Sequence, residues 1–421
     1  MDNTPENSEA PASFYDLPQV EVERIPIGGG IPLGIERVTN HEIGIGGAYG
    51  TWGQSYDNPG LLRAIQDRYG EPIPDSELMN LSELGFHHRQ HVPDLSPEEH
   101  LELEVQVGAK FLREAAAASG WEPQEVQAVV VGMSGPASED ITARMAQRAG
   151  IPDSALKVSI HKACDGSVAG LNLVLNRDLP YNHQLPVNIA EHLFGKKVLV
   201  GGIEGLSRFI RHSHDWNALQ LFGNGAGVIG LIPGENMKFI VGRSSEVFDE
   251  EGVLEVRMFY PHSGQRNLGQ SMIEVTQAGE NHIRVAGLMH EPESEAPIVM
   301  AGMMGMVKLF VRSGVQIVQE VYQDYLKRIA ELGMPDKSIA VTIAHHANLK
   351  INQLKLKHLQ REGIQIPTPW LLKEFGNVSA ASNMMAFLRK LSQLKPSDNV
   401  LFDGFGAGTY YDVLAVEMGA Q

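Results

Sequence analysis

The chain has 421 residues, with 34 Lys+Arg against 51 Asp+Glu and a formal charge of -17. That balance argues against a general nucleic-acid binder, which needs a cationic face to neutralise phosphates. Apolar residues make up 43%, enough to bury a large core in two or three domains or one layered unit, and no uninterrupted apolar run approaches the roughly 18 residues of a membrane span.

Residues 1–19 are acidic and polar and read as a disordered tail, without the basic and apolar regions of a secretory signal. From Ser96 to Gly120, "SPEEHLELEVQVGAKFLREAAAASG" is helical: Ser96 suits an N-cap, Glu99 completes a capping box and Gly120 is a stop. "VQAVVVGMS" reads as a buried strand, "SEDITARMAQRAG" as a helix, "ALKVSI" as a short strand and "DGSVAGLNLVL" as a helix starting just after Cys164. "KKVLVGGIE" and "LQLFGNGAGVIGLIPG" read as glycine-punctuated strands. The acidic, turn-rich stretch 236–298 reads as a connecting excursion. Beyond it come a long helix from Met303 to Gly333, the strand "SIAVTIAHHAN", the helix "LKINQLKLKHLQREG", a turn entering a helix in "EFGNVSAASNMMAFLRKL" and two strands in "NVLFDGFGAGTYYDVLAVEM".

Three segments of the first part resemble three of the last: "SGWEPQEVQAVVVGMS" and "ELGMPDKSIAVTIAHH", "HKACDGSVAGLNLVL" and "EFGNVSAASNMMAFL", "LFGNGAGVIGLIPG" and "LFDGFGAGTYYDVLAV". The expectation is two pseudo-duplicated mixed α/β halves, 20–235 and 299–421, packed as one unit. The pairing sets Cys164 opposite Asn377, each just before a helix.

Cys164 is the single cysteine, so no internal disulfide can form and the cytoplasm is the default compartment. At a helix N-terminus, unpaired N–H groups and the helix dipole lower a thiol's pKa. Placement alone leaves two readings open, a nucleophile or a buried structural cysteine. "IAHHANL" places His345 and His346 at a strand end, and "FGNVSAAS" offers Asn377 at a turn. The backbone of "FGAG", 405–408, could donate N–H groups to an oxyanion.

Together "ACDGS", "FGNGAG", "AHHANLKI", "GNVSAAS" and "GFGAG" stand in an order that resembles the β-ketoacyl-acyl-carrier-protein synthase III family of the thiolase fold. "VTNHEI" and "LVGGIEGLSRF" fit as well. The resemblance runs from about residue 25 to the C-terminus, with insertions around 44–75, 176–192 and 245–298. It implies a five-layer αβαβα fold, a homodimer and a Cys-His-Asn triad. Carried over by motif, Cys164 is similar to the acylated nucleophile, while His345 and Asn377 match the groups that hold the second thioester and stabilise its enolate. The backbone N–H groups of Cys164 and Ala407 would form the oxyanion hole. The implied reaction is decarboxylative Claisen condensation of a Cys-bound acyl group with a malonyl-type thioester, without metal or cofactor. Acyl transfer to an oxygen or nitrogen nucleophile, non-decarboxylative condensation of two acyl thioesters and a non-catalytic subunit of a heteromeric synthase are the alternatives.

Several residues depart from the family's pattern. Asp165 follows the nucleophile where a small apolar residue is usual, Asn224 replaces an Asp, and "LGFHHRQ" lacks the entrance arginine and tryptophan, although Arg89 fits a later arginine. These changes and the added length point to a specialised lipid or secondary-metabolite pathway. Acyl-CoA and an acyl carrier protein are the expected partners. Lys308, Arg312 and Lys350 fall where the family has basic residues near its tunnel mouth, "LKLKHLQR" adds Lys355, Lys357 and Arg361, and Arg208 is a candidate contact to coenzyme A phosphate. His87 and His91 in "HHRQH" have a spacing compatible with a metal but read better as a polar surface turn. "GAGVIG" reads as strand to strand and not as a dinucleotide site, and Ser134 in "GMSGP" is no hydrolase nucleophile.

Overall fold

The computed structural model describes residues 21–211, 216–246, 273–288, 303–406 and 410–419; the tail expected over 1–19 lies outside the described residues. The chain opens with β1 (Glu21–Ile25), β2 (Ile31–Asn40), β3 (Ile45–Trp52) and β4 (Gln54–Asp57), then α1 (Asn58–Tyr69) and β5 (His88–His91). Next come α2 (Pro97–Ala118), β6 (Ala128–Gly132), α3 (Ile141–Ala149), β7 (Leu156–Lys162) and α4 (Gly166–Leu175). α5 (Ile189–Leu193), β8 (Val198–Glu204), α6 (Leu206–Arg211), α7 (Trp216–Leu221) and β9 (Gly225–Leu231) follow. The remainder is β10 (Met237–Glu246), β11 (Glu274–Gly279), β12 (His282–Leu288), α8 (Met303–Glu331), β13 (Ile339–Ala344), α9 (Leu349–Arg361), α10 (Ser382–Leu391), β14 (Asn399–Gly406) and β15 (Tyr410–Met418).

The large sheet has the order β1-β2-β3-β9-β8-β6-β7-β12-β11, and the second sheet runs β10-β15-β14-β13. α2 and α3 cover the outer face of the large sheet, α4 and α10 lie between the sheets, and α8 with α9 covers the second sheet from outside. This is the expected α-β-α-β-α layering. Sequence explains the middle layer. A helix between two sheets has no solvent face, and every residue of α4, "GSVAGLNLVL", is buried. β6, "AVVVG", is apolar without alternation because both its faces are covered. α2 starts where its capping box predicts, with Ser96 accepting from the Glu99 N–H.

Glycine sets how closely the central turns approach the large sheet. A Cβ on Gly132 would stand 2.3 Å from the carbonyl carbon of Gly166, and one on Gly202 would stand 2.3 Å from the Ala380 carbonyl oxygen. Both obstacles are backbone, which a rotamer change cannot move.

The structure corrects four readings. Residues 216–221, including the "LQL" assigned to a strand, form helix α7. The described parts of the 236–298 excursion are integral to the sheets: β10 pairs antiparallel with β15, and β12 pairs parallel with β7. "HHRQH" is no surface turn, since β5 buries Arg89 and Gln90 completely, and among the described residues no His/Cys/Asp/Glu group could hold a metal. The pairing of Cys164 with Asn377 is also shifted. Ala163 and Ser379 are both left-handed, with φ of 49° and 46°. Each opens a one-turn 3-10 segment, Ala163–Asp165 or Ser379–Ala381, that runs directly into α4 or α10. Cys164 therefore corresponds to Ala380, and Asn377 lies before the turn. No helix among the described residues is long and apolar enough to cross a membrane.

Gly202→Ala tests the close approach. Overpacking against backbone is expected to lower unfolding free energy by about 1–3 kcal/mol, read as a lower urea midpoint at unchanged slope.

Candidate active site

Cys164 leaves the end of β7 in the strained turn that starts α4. A non-glycine residue in the left-handed region costs of order 1–3 kcal/mol and persists only where its surroundings enforce it. Here the turn is pressed between the ends of both sheets. Gly132 lies on one side, and on the other a Cβ at Gly406 would stand 3.0 Å from the Cys164 nitrogen. Ala407, the other expected oxyanion donor, lies outside the described residues. Cys164 is part-buried and borders an apolar cluster that includes Leu61 and Ile65 of α1, Leu81, Phe86, Leu206 and Phe222. α1 belongs to the segment read as an insertion, so that added chain forms part of the apolar surroundings of the thiol.

The thiol's electrostatics differ from the expectation. The helix terminus does not dominate: burial pushes the Cys164 pKa up to about 12, with smaller upward contributions from the charges of Glu204 and Asp165, while a hydrogen bond from Ser379 pulls it down. Asp165 neither caps α4 nor faces solvent. Its carboxylate lies 3.1 Å from the Lys162 ammonium, which also pairs with Asp412, all three fully buried. Burial, reinforced by the charge of Asp412, holds the Asp165 carboxyl well above the usual carboxylate range. It therefore resists becoming a second anion beside the thiol.

His345 stands just beyond β13. Its N–H donates to the Asp403 carbonyl at 2.9 Å, and its carbonyl accepts from Asn352 Nδ2 at 3.1 Å. The ring meets Phe405 edge-on, with centroids 5.0 Å apart. Burial, aided by His346 and Lys355, holds its pKa well below the usual histidine value, so the imidazole is neutral. His346 is engaged differently. Its Nδ1 lies 2.9 Å from the Ala344 carbonyl, and its Nε2 accepts the Leu371 N–H at 2.9 Å. Both ring nitrogens are committed to the main chain, whereas Nδ1 of His345 is buried without a hydrogen-bond partner among the described residues.

Asn377 bridges distant segments of the chain. Its backbone exchanges hydrogen bonds with Leu221 and Gly223, and its Nδ2 reaches toward the Ala347 carbonyl in the histidine loop at 3.4 Å. Its Oδ1 accepts the Ser379 N–H at 2.9 Å, and the Ser379 hydroxyl donates to Cys164 Sγ at 3.1 Å. One turn thus links the histidine loop to the nucleophile.

The basic residues divide. Arg208 is buried, with Nε on Glu104 at 2.9 Å and Nη2 on the Gly135 carbonyl, a placement that turns its guanidinium away from any phosphate in solvent. Lys355, read as part of a surface patch, is buried and paired with Asp403 at 2.6 Å. Arg312 and Lys357 are exposed, as is Lys350, which meets Glu83 at 2.8 Å in a solvent-exposed pair. The Lys308 side chain lies outside the described residues. Asn224 is structural: it accepts from the Ser207 N–H and hydroxyl and donates to the Trp52 carbonyl.

A family profile described as 3-oxoacyl-(acyl-carrier-protein) synthase III C terminal matches residues 329–418, the segment that carries His345 and Asn377. Over that segment the chain is similar to the β-ketoacyl synthase III family. A β-ketoacyl-(acyl-carrier-protein) synthase III from Listeria monocytogenes is 23% identical over 231 residues, 53% of this chain, and the match spans 58% of that relative's length. The namesake from Prochlorococcus marinus MIT 9313 is 25% identical over 358 residues, 82% of this chain and 89% of its own. Among solved structures, 3-oxoacyl-(acyl-carrier-protein) synthase III from Aquifex aeolicus shares the fold of this synthase III-like chain at a TM-score of 0.56 and 16% identity, covering 94% of this chain and 99% of that one. The type III polyketide synthase 1,3,6,8-tetrahydroxynaphthalene synthase from Streptomyces coelicolor does so at 0.58 and 11%, covering 95% and 99%.

Sequence reasoning missed Ser379, Ser134 and Glu204 as neighbours of the thiol. A lone carboxylate ending the otherwise apolar strand "VLVGGIE" was the available signal. The two histidines are separable by stability. His346→Ala strands the Leu371 N–H and the Ala344 carbonyl, at about 1–3 kcal/mol for each buried group left unpaired, whereas His345→Ala removes no such ring bond. Urea unfolding is expected to show the larger loss in His346→Ala.

Proposed function

We propose that this chain is a condensing enzyme that carries an acyl group on Cys164 and joins it to a malonyl-type thioester by decarboxylative Claisen condensation. The observation that carries the reading is that the segment of Asn377 and Ser379 touches both the part-buried thiol, through the Ser379 hydroxyl, and the loop of the neutral His345, through the Ala347 carbonyl. The thiol attacks an acyl thioester and the carrier thiol leaves. A malonyl-type thioester follows, and loss of CO2 leaves a carbanion whose negative charge resides on the thioester oxygen. Neutral hydrogen-bond donors stabilise that oxygen without quenching the carbanion by protonation. His345 holds no extra proton to give, and Asn377 has none. The carbanion attacks the acyl-cysteine carbonyl, which releases Cys164 and a β-ketoacyl thioester. The backbone N–H groups of Cys164 and Ala407 serve as oxyanion donors in this reading.

The apolar cluster beside Cys164 favours an apolar acyl group, and the α1 segment that helps to build it is an addition to the family pattern. That addition supports a specialised lipid or secondary-metabolite substrate. Acyl-CoA and an acyl carrier protein are the proposed thioester donors, with exposed Arg312, Lys350 and Lys357 as docking charges for an acidic carrier. A cytoplasmic homodimer completes the proposal.

Intact mass after incubation with acyl-CoAs of increasing length is expected to show one acyl increment, absent in Cys164→Ala. His345→Ala and Asn377→Ala are expected to acylate but to release CO2 from malonyl-CoA on the order of a hundredfold more slowly. If both variants decarboxylated at the normal rate, their assigned role would be wrong.

A further inference from the structure

A thiol held near pKa 12 must lose its proton as it attacks, and the neutral, weakly basic His345 is a poor place for that proton to go. The hydrogen bonds offer another route. Among the described residues, the partner of Cys164 Sγ is the Ser379 hydroxyl at 3.1 Å. Ser379 Oγ is in hydrogen-bond contact with Ser134 Oγ, and Ser134 Oγ donates to Glu204 Oε1 at 2.8 Å. The chain draws on the turn after β7, the turn before α10, the loop after β6 and the end of β8. Glu204 is 2% exposed. The same oxygen, Oε1, accepts the N–H groups of Ser134 at 2.8 Å and of Ala380 at 3.1 Å. A carboxylate with three donors on one oxygen and a hydroxyl path to the nucleophile is more than a packing residue requires.

We propose that Glu204 is the proton acceptor for Cys164, acting through Ser379 and Ser134, when the thiol attacks an acyl thioester; this rests on the acyl-cysteine reading above. As the Sγ–C bond forms, the thiol proton passes to Ser379 Oγ, the Ser379 proton to Ser134 Oγ, and the Ser134 proton to Glu204 Oε1. When the tetrahedral intermediate collapses, the bond from carbon to the carrier sulfur breaks. The departing thiolate takes a proton directly from Ser379 Oγ, which is refilled from Ser134 and Glu204 in turn, so Glu204 ends as it began. Each hydroxyl donates and accepts once, as a hydroxyl can, with the Ser379 hydroxyl turned from its donation to Sγ so that it accepts from the thiol and donates to Ser134.

The acidity of Glu204 suits the task. Burial pushes its pKa up to about 7, against the lowering effect of the Ser134 and Ala380 donors. It is therefore a far better base than His345 and is ionised on the alkaline side of neutrality. The charged and titratable groups around it are few. Cys164 faces it across the relay, the Asp165–Lys162–Asp412 cluster lies behind Cys164, and the Glu104–Arg208 pair packs beside Gly205.

The test is the pH dependence of Cys164 modification, read by intact mass with two probes: an acyl-CoA accepted by the wild type, and iodoacetamide, which requires no acyl site. In the wild type the rate is expected to rise as Glu204 ionises near pH 7 and then to flatten. Glu204→Gln keeps an oxygen to accept both N–H groups but cannot take a proton. It is expected to lose the inflection and to react at least tenfold more slowly at pH 8. Ser134→Ala cuts the path while leaving the carboxylate and should show the same loss, which keeps the test open if Glu204→Gln does not fold. An unchanged profile in either folded variant overturns the relay. Failure of the wild type to take any acyl group, with the iodoacetamide profiles behaving as expected, would overturn the acyl-cysteine reading instead and leave the relay standing.

Discussion

The contact between the Cys164 turn and the Ser379 turn is the constraint on which the rest of the structure depends. Two helices, α4 and α10, fill the space between two sheets. Each enters that layer through a left-handed residue followed by a tight turn. Gly132 and Gly202 let those turns press against the ends of β6 and β8. The result is the Ser379 hydroxyl placed on the Cys164 sulfur. The site is therefore a product of how the two turns pack, and neither turn holds it alone.

That packing has an electrostatic consequence. A thiol in a close-packed junction is poorly solvated as an anion, and here burial outweighs the helix terminus. The surrounding polar groups are arranged in pairs and chains that compensate. Lys162 is shared between Asp165 and Asp412, Lys355 answers Asp403, and Arg208 answers Glu104. Removing one member of such a buried pair typically costs about 3–5 kcal/mol, so these residues hold the layers in place around the thiol. Among the described residues Glu204 differs from them in having no cationic hydrogen-bond partner, only neutral N–H and O–H donors. A buried carboxylate satisfied in this way remains able to titrate.

Local pattern made much of the fold readable from sequence. The all-apolar text of α4 and β6 and the capping box at Ser96 each report their own surroundings. The motifs likewise singled out Cys164, His345 and Asn377. What could not be read is what stands across a gap. Ser134 and Ser379 meet although 245 positions separate them, and nothing in "GMSGP" or "GNVSAAS" names its partner. Lys355 looked like a surface cation because its helix is rich in basic residues, yet the turn of α9 that carries it faces Asp403. Aligning Cys164 with Asn377 matched residue types, while the structure aligns the left-handed residues Ala163 and Ser379, a backbone property that alanine and serine do not advertise.

The central claim is that the acyl group on Cys164 is consumed by a carbanion born from decarboxylation. A single-turnover chase measures it directly. Protein loaded with an isotopically labelled acyl group and freed of excess donor is mixed with malonyl-CoA, and protein mass, CO2 and thioester products are followed together. The account predicts that the acyl increment leaves the protein in step with release of one CO2 and appears in a β-ketoacyl thioester two carbons longer. Loss of the label as free acid or as a simple ester or amide, without CO2, would contradict it.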